Sequence, residues 1–220
     1  MKTAFITGGS SGIGQAVIAV FENSGWKVIA PNKKELNLYD SANIQPHAAN
    51  LTKNTQHLDA VIHIAGIWHG TDEVFANRSL ENFSPEQIAT TMSVGLSGFM
   101  VLCAVLLPKL SKNGTIVGIT GTFSDGANGW LPYYTSKRGL EDFLVGLSQD
   151  YPKGPRVYGI SPADTATPAY KKYYPEYADE AQSPKVIADL CLSLVNEETK
   201  AKTGDIVEIR DGKVLPGFHV

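Results

Sequence analysis

The chain has 220 residues, 43% of them apolar, and a net charge of −3 at neutral pH. That length suits a single domain, spanning 1–220, with a full core. No basic excess points to nucleic acid, no run of like charge reads as a tail, and no apolar run reaches membrane-spanning length.

Thr3–Thr7 is a short apolar, β-prone run that breaks into Gly8-Gly9-Ser10-Ser11-Gly12-Ile13-Gly14. A helical pattern follows, with Val17, Ile18, Val20 and Phe21 on one side. A strand, a glycine turn and a helix N-terminus in that order make an anion seat, because the first unpaired N–H groups and the helix dipole both favour a phosphate. Gly8 permits the tight turn, Gly12 lets backbone approach a pyrophosphate, and Gly14 lets helix and strand pack closely. The spacing predicts nucleotide binding.

Further strands are expected at Trp26–Ala30, Ala60–Ala65, Thr115–Thr120, Arg156–Ile160 and Ile206–Ile209. Helices are expected at Ile13–Asn23, roughly Ser41–Gln56, Pro85–Leu110, Pro132–Gln149 and Pro184–Asn196. Strands that are almost continuously apolar and alternate with helices predict a doubly wound α/β fold, a parallel sheet with helices on both faces. The segment after the second strand is terse. Residues 31–40 leave no space for a crossover helix, so either that crossover is a bare loop or a third strand at Glu35–Leu38 is vestigial. Pro162 to Ser183 is rich in proline and tyrosine, and its part at about 168–183 reads as a substrate loop. Cys103 and Cys191 lie in apolar helical patterns and read as buried thiols in a reducing compartment, not as a disulfide or metal pair. No metal set is expected. With a strand at the N-terminus instead of a charged segment and apolar signal core, the chain reads as cytoplasmic.

The second constellation is Tyr133-Tyr134-Thr135-Ser136-Lys137. A tyrosine and a lysine four apart share one helix face. A phenol is a poor acid or base at its ordinary pKa of about 10. A nearby ammonium stabilises phenolate and makes tyrosine usable near neutrality.

Taken together, Thr7 to Gly14 and Tyr133-x-x-x-Lys137 resemble the short-chain dehydrogenase/reductase family. The resemblance continues at Ile64-Ala65-Gly66, where the family has Asn-Asn-Ala-Gly, and at Pro162 to Thr167, where it has Pro-Gly-x-Val-x-Thr. Thr203 to Ile209 with Asp211-Gly212 is similar to the family's last strand, so coverage runs end to end. The resemblance implies a Rossmann-type fold with the cofactor outside the carboxyl ends of the strands. It implies that Tyr133 exchanges a proton with a carbonyl or alcohol oxygen, and that Lys137 holds the nicotinamide ribose and lowers the pKa of Tyr133. Gly8, Ser10, Ser11, Gly12, Ile13 and Gly14 would hold the pyrophosphate, Ala65 and Gly66 would line the ribose, and Leu38 would pack on adenine. Pro162, Thr165 and the Thr167 hydroxyl would hold the carboxamide.

There are three departures. The family serine past the fifth strand falls near Gly121, leaving Thr120 or Thr122 to supply a hydroxyl. The family's helix asparagine is replaced by Gly95 in Gly95-Leu96-Ser97-Gly98. The first asparagine of Asn-Asn-Ala-Gly is His63, either a compensating proton group or a satisfied structural histidine.

At the end of the second strand, where NAD-specific members carry an acid, stand Asn32-Lys33-Lys34. Ammonium groups there gain charge-assisted hydrogen bonds to a 2′-phosphate, which points to NADP, with NAD as the other choice. Trp68, Trp130, Tyr134, Tyr170, Tyr173, Tyr174 and Tyr177 flank the motifs and suggest an apolar or ring-shaped carbonyl compound, and Lys171 and Lys172 suggest attraction for an anionic group. The expected function is an NADP(H)-dependent oxidoreductase acting on a small carbonyl or alcohol. Two alternatives stay open: a nucleotide-binding or redox-sensing protein with a weakened catalytic set, and an isomerase or dehydratase that recycles its hydride. The apolar helices at Pro85–Leu110 and Pro132–Gln149 suggest a homodimer or homotetramer, with Phe99 as an exposed apolar position on that face.

Overall fold

A computed structural model describes residues 1–10, 12–121 and 127–215. Its seven strands form one sheet in the order β2-β1-β3-β4-β5-β6-β7. These are β1 (Thr3–Thr7), β2 (Lys27–Ile29), β3 (Leu58–His63), β4 (Leu110–Ile119), β5 (Arg156–Pro162), β6 (Ile206–Arg210) and β7 (Lys213–Val214). All neighbours are parallel except β6 and β7. Every residue of β1 is buried. That explains its unbroken apolar sequence, since a central parallel strand is covered on both faces.

One face carries α1 (Gly12–Asn23) and α7 (Pro184–Val195). Val17 and Phe21 of α1 pack there with Ile187, Leu190, Cys191 and Leu194 of α7. The other face carries α2 (Ser41–Leu51), α4 (Gly98–Leu106) and α5 (Leu131–Asp150). Cys103 belongs to this second core, so the two thiols are buried on opposite sides of the sheet.

The expected helix at Pro85–Leu110 is α3 (Pro85–Met92), a wide π turn at Ser93–Ser97, α4 and a 3-10 turn ending at Lys109. Ser84 caps α3 through the Gln87 N–H, with Pro85 in the first turn. By length and composition this 25-residue stretch could cross a membrane, which corrects the reading that no apolar run is long enough. Here it lies on the sheet, with Phe99, Leu102, Cys103 and Leu106 in the core.

Residues 35–38 form no strand, so β2 is the edge of the sheet. Asn32 turns the chain instead: its Oδ1 accepts from Lys34 N–H at 2.8 Å, and Glu35 returns a carboxylate to Asn32 N–H at 2.9 Å. Leu36 and Leu38 then bury themselves in the second core, doing the packing a strand would have done.

Candidate functional site

A cavity of about 1040 Å³ runs along the carboxyl ends of β1, β3, β4 and β5, the position expected of a ligand site in an open parallel sheet. At one end it is lined by Gly8, Ser10, Gly12 and Ile13 with Asn32, Lys33 and Leu38. The middle is formed by Ala65, Gly66, Thr120, Tyr133 and Lys137, and the far side by Pro162, Thr165 and Thr167. Residues named from six separate stretches of sequence therefore meet in one space. Gly14 does not line it but packs against Gly8, and Ser11 and Thr122 fall outside the described residues.

The glycine turn is shaped by close approach. Gly8 has φ +75°, and a Cβ there would meet Ala65 N at 2.5 Å; at Gly14 it would meet Gly8 O at 2.0 Å. No side chain fits at either place, so the backbone N–H groups at the start of α1 stay open toward the cavity. An elongated phosphate-bearing ligand fits such a cradle.

Tyr133 and Lys137 sit in the first two turns of α5, which Pro132 helps to start. Lys137 is 2% exposed, and its Nζ donates to Ile119 O at 2.7 Å. The ammonium lies 5.5 Å from the Tyr133 ring centre. Burial pulls Lys137 down to about 8, partly offset by the charge of Glu141. Burial also pushes the Tyr133 phenol above its ordinary value. The resemblance implies that Lys137 lowers the pKa of Tyr133; in the protein alone desolvation governs, and the phenol keeps its proton. A protonated phenol beside an ammonium is arranged to donate a proton.

The departures have physical reasons. A Cβ on Gly95 would lie 2.9 Å from Ser136 Oγ, so the packing of α5 against the π turn excludes a larger residue there. His63 is fully buried, with Nδ1 2.8 Å from Thr7 Oγ1 and its ring stacked on Phe99 at 4.0 Å. Burial, and then the Lys137 charge, lower its pKa to about 3, so the imidazole is uncharged and packs as a core ring. The Thr120 hydroxyl donates its hydrogen to Ile160 O at 3.2 Å. It is thus occupied by β5. Thr165 Oγ1 donates to Ala163 O at 2.9 Å. Thr167 Oγ1 accepts from Tyr170 N–H at 3.1 Å, capping α6 (Pro168–Tyr173).

Two features escaped the sequence reading. Glu141 is completely buried one turn beyond Lys137, with a carboxylate oxygen paired to Arg138; its four-residue offset from the lysine was the available signal. Thr7 holds His63 across two neighbouring strands, and no local pattern announces such a pair.

Comparison with known proteins agrees with this geometry. The short chain dehydrogenase family matches residues 2–178. A 3-oxoacyl-(acyl-carrier-protein) reductase of Thermotoga maritima is 26% identical over 248 aligned positions, covering 97% of this chain and 98% of that one. A Brucella melitensis 3-ketoacyl-(acyl-carrier-protein) reductase complexed with NADH superposes with a TM-score of 0.83 at 18% identity, covering 96% and 97% of the two chains. A Shigella flexneri short chain dehydrogenase complexed with NADP gives 0.81 at 25% identity, covering 92% and 94%. With a nucleotide cradle, a buried tyrosine–lysine pair and a family match across most of its length, the chain belongs to the short-chain dehydrogenase family and is an NAD(P)-dependent oxidoreductase acting between carbonyl and alcohol groups.

Proposed function

We propose that the protein reduces a small carbonyl compound, or oxidises the matching alcohol, with NADP(H) as its cofactor. The observation that carries this reading is the buried Tyr133–Lys137 pair, set in the wall of the same cavity that begins at the Gly8–Gly14 turn. When bound, the nicotinamide supplies or accepts the hydride. The chain's own residues do the rest. Tyr133 donates the proton to the carbonyl oxygen, and the Lys137 charge stabilises the phenolate left behind. Lys137, Ala65 and Gly66 would line the ribose, and Thr165 and Thr167 would orient the carboxamide. Thr120 or Thr122 stands in for the family serine, and the occupied Thr120 hydroxyl favours Thr122 for substrate contact.

Lys33 supports the NADP(H) preference. It lines the cavity, while Asn32 and Glu35 spend their side chains on the turn. The NADP carried by the Shigella structure, at 25% identity, is consistent with it.

We also propose that the protein acts in the cytoplasm, in keeping with its free buried thiols, and that it forms a homodimer or homotetramer. Only 39% of the most apolar part of Pro85–Lys109 is buried within one chain. Phe99, named from sequence as an exposed position, is fully buried in the core; Met100, 44% exposed, takes its place on the outer face.

Screening carbonyl compounds for NADPH consumption by the purified chain tests the main reading. Tight NADPH binding with no turnover on any of them would support a binding protein instead.

A further inference from the structure

A short strap lines the cavity that Tyr133 also lines. It comprises α6 and a 3-10 turn at Pro175–Tyr177. Two hydrogen bonds tie it to the loop after β3: Lys172 Nζ donates to Thr71 O at 2.7 Å, and the Tyr173 hydroxyl donates to the same oxygen at 2.9 Å. Lys172 also stands 3.7 Å from Asp72. The strap thereby brings Tyr174 against Trp68 and Trp130. The three ring centres are 6.3, 6.3 and 6.5 Å apart, and Trp130 is 6.1 Å from Tyr133. Rings at such spacings touch one another. They make one continuous wall that ends at the phenol, offering faces and edges to a flat apolar group.

Charge along this wall is the second observation. The sequence suggested that Lys171 and Lys172 attract an anion, but neither lines the cavity, and Lys172 is engaged by Thr71 and Asp72. The carboxylates are better placed. Glu86 and Asp164 line the cavity; burial first, and then the charges of Asp164 and Glu176, hold the Tyr170 and Tyr174 phenols above their ordinary range. The Tyr170–Tyr174 end of the wall therefore faces carboxylates, while the Lys137 ammonium stands only at the Tyr133 end where the carbonyl reacts, so a negative charge on the far side of a ligand meets like charge.

Resting on the oxidoreductase reading above, we infer that the substrate is a carbonyl compound that carries a flat ring and no anionic group. Substrates presented on a phosphorylated or carboxylate-bearing carrier are disfavoured at this mouth. The wall orients the ring so that its carbonyl reaches Tyr133, and the carboxylates at the rim repel a negative charge on the far side.

The experiment compares NADPH consumption by the full chain with acetophenone, 4-acetylbenzoate and 2-octanone. Acetophenone is expected to exceed both others in kcat/KM by about tenfold or more. Added salt should narrow the gap to 4-acetylbenzoate and leave the gap to 2-octanone unchanged. Glu176→Gln should raise the 4-acetylbenzoate to acetophenone ratio, and Trp68→Leu should collapse the acetophenone to 2-octanone ratio. Equal or better use of 4-acetylbenzoate would overturn the charge selection, and equal use of 2-octanone would overturn the ring. NADPH binding with no ketone consumed would overturn the oxidoreductase reading itself, and this inference with it.

Discussion

Glu141 lies one turn beyond Lys137 on α5, fully buried, and its charge raises the pKa of a lysine that burial alone would pull further down. The carboxylate is held by Arg138. Its own pKa is raised, chiefly by burial. A buried acid beneath a buried ammonium keeps that ammonium charged where solvent no longer does so.

Glu141→Gln is therefore expected to move the Lys137 pKa below about 8. If the ammonium form is the active one, the alkaline limb of the kcat/KM profile shifts to lower pH. Arg138→Gln, which leaves the carboxylate in place, should not shift it downward. Asp142, Tyr133 and neutral His63 are unchanged in both variants. A profile identical to that of the parent would show that Glu141 has no influence on the ammonium.

Tyr133→Phe should lower kcat by about 10²–10⁴ while leaving NADPH affinity within a few-fold, because the phenol acts on the substrate oxygen. Tyr134→Phe should be mild. Lys137→Ala should weaken both cofactor binding and turnover. Steady-state kinetics with cofactor titration separate these patterns, and a greater loss at Tyr134 would reassign the acid.

Changing Lys33 and Lys34 together to alanine should remove about 1–3 kcal/mol of preference for NADPH over NADH, the size of one or two charge-assisted bonds. Lys33 should account for most of it, since it lines the cavity. Glu35→Gln should push preference further toward NADPH by removing the nearby negative charge. Calorimetric titration of both cofactors checks this; equal affinities in the parent would refute it.

Met100→Glu is expected to shift the particle to a smaller mass in light scattering with the fold retained. Phe99→Ala should instead cost about 3–5 kcal/mol of stability, because it opens a cavity in the core. A parent that is monomeric at micromolar concentration would rule out this interface.

Much of the fold was legible because parallel strands announce themselves as unbroken apolar runs, as Thr3–Thr7 does. The glycine turn was legible because Gly8 and Gly14 stand where no Cβ fits. Phe99 was misread because the helix Pro85–Lys109 is apolar nearly all round, and periodicity then gives no inward direction. Its ring faces inward, over His63. The role of Thr120 was unreadable for a different reason. Its hydroxyl is directed by Ile160, which is 40 residues away in the chain and meets it only after folding.

Both rims of the sheet are very short. β2 has three residues, opening with an exposed lysine, and β7 has two, both exposed. A rim this brief gives an incoming strand almost no ladder to extend, and Lys27 adds an ammonium to any attempt. Strand-by-strand polymerisation is thus discouraged at either end. With no strand at residues 35–38, the sheet ends at β2 without a long sticky border.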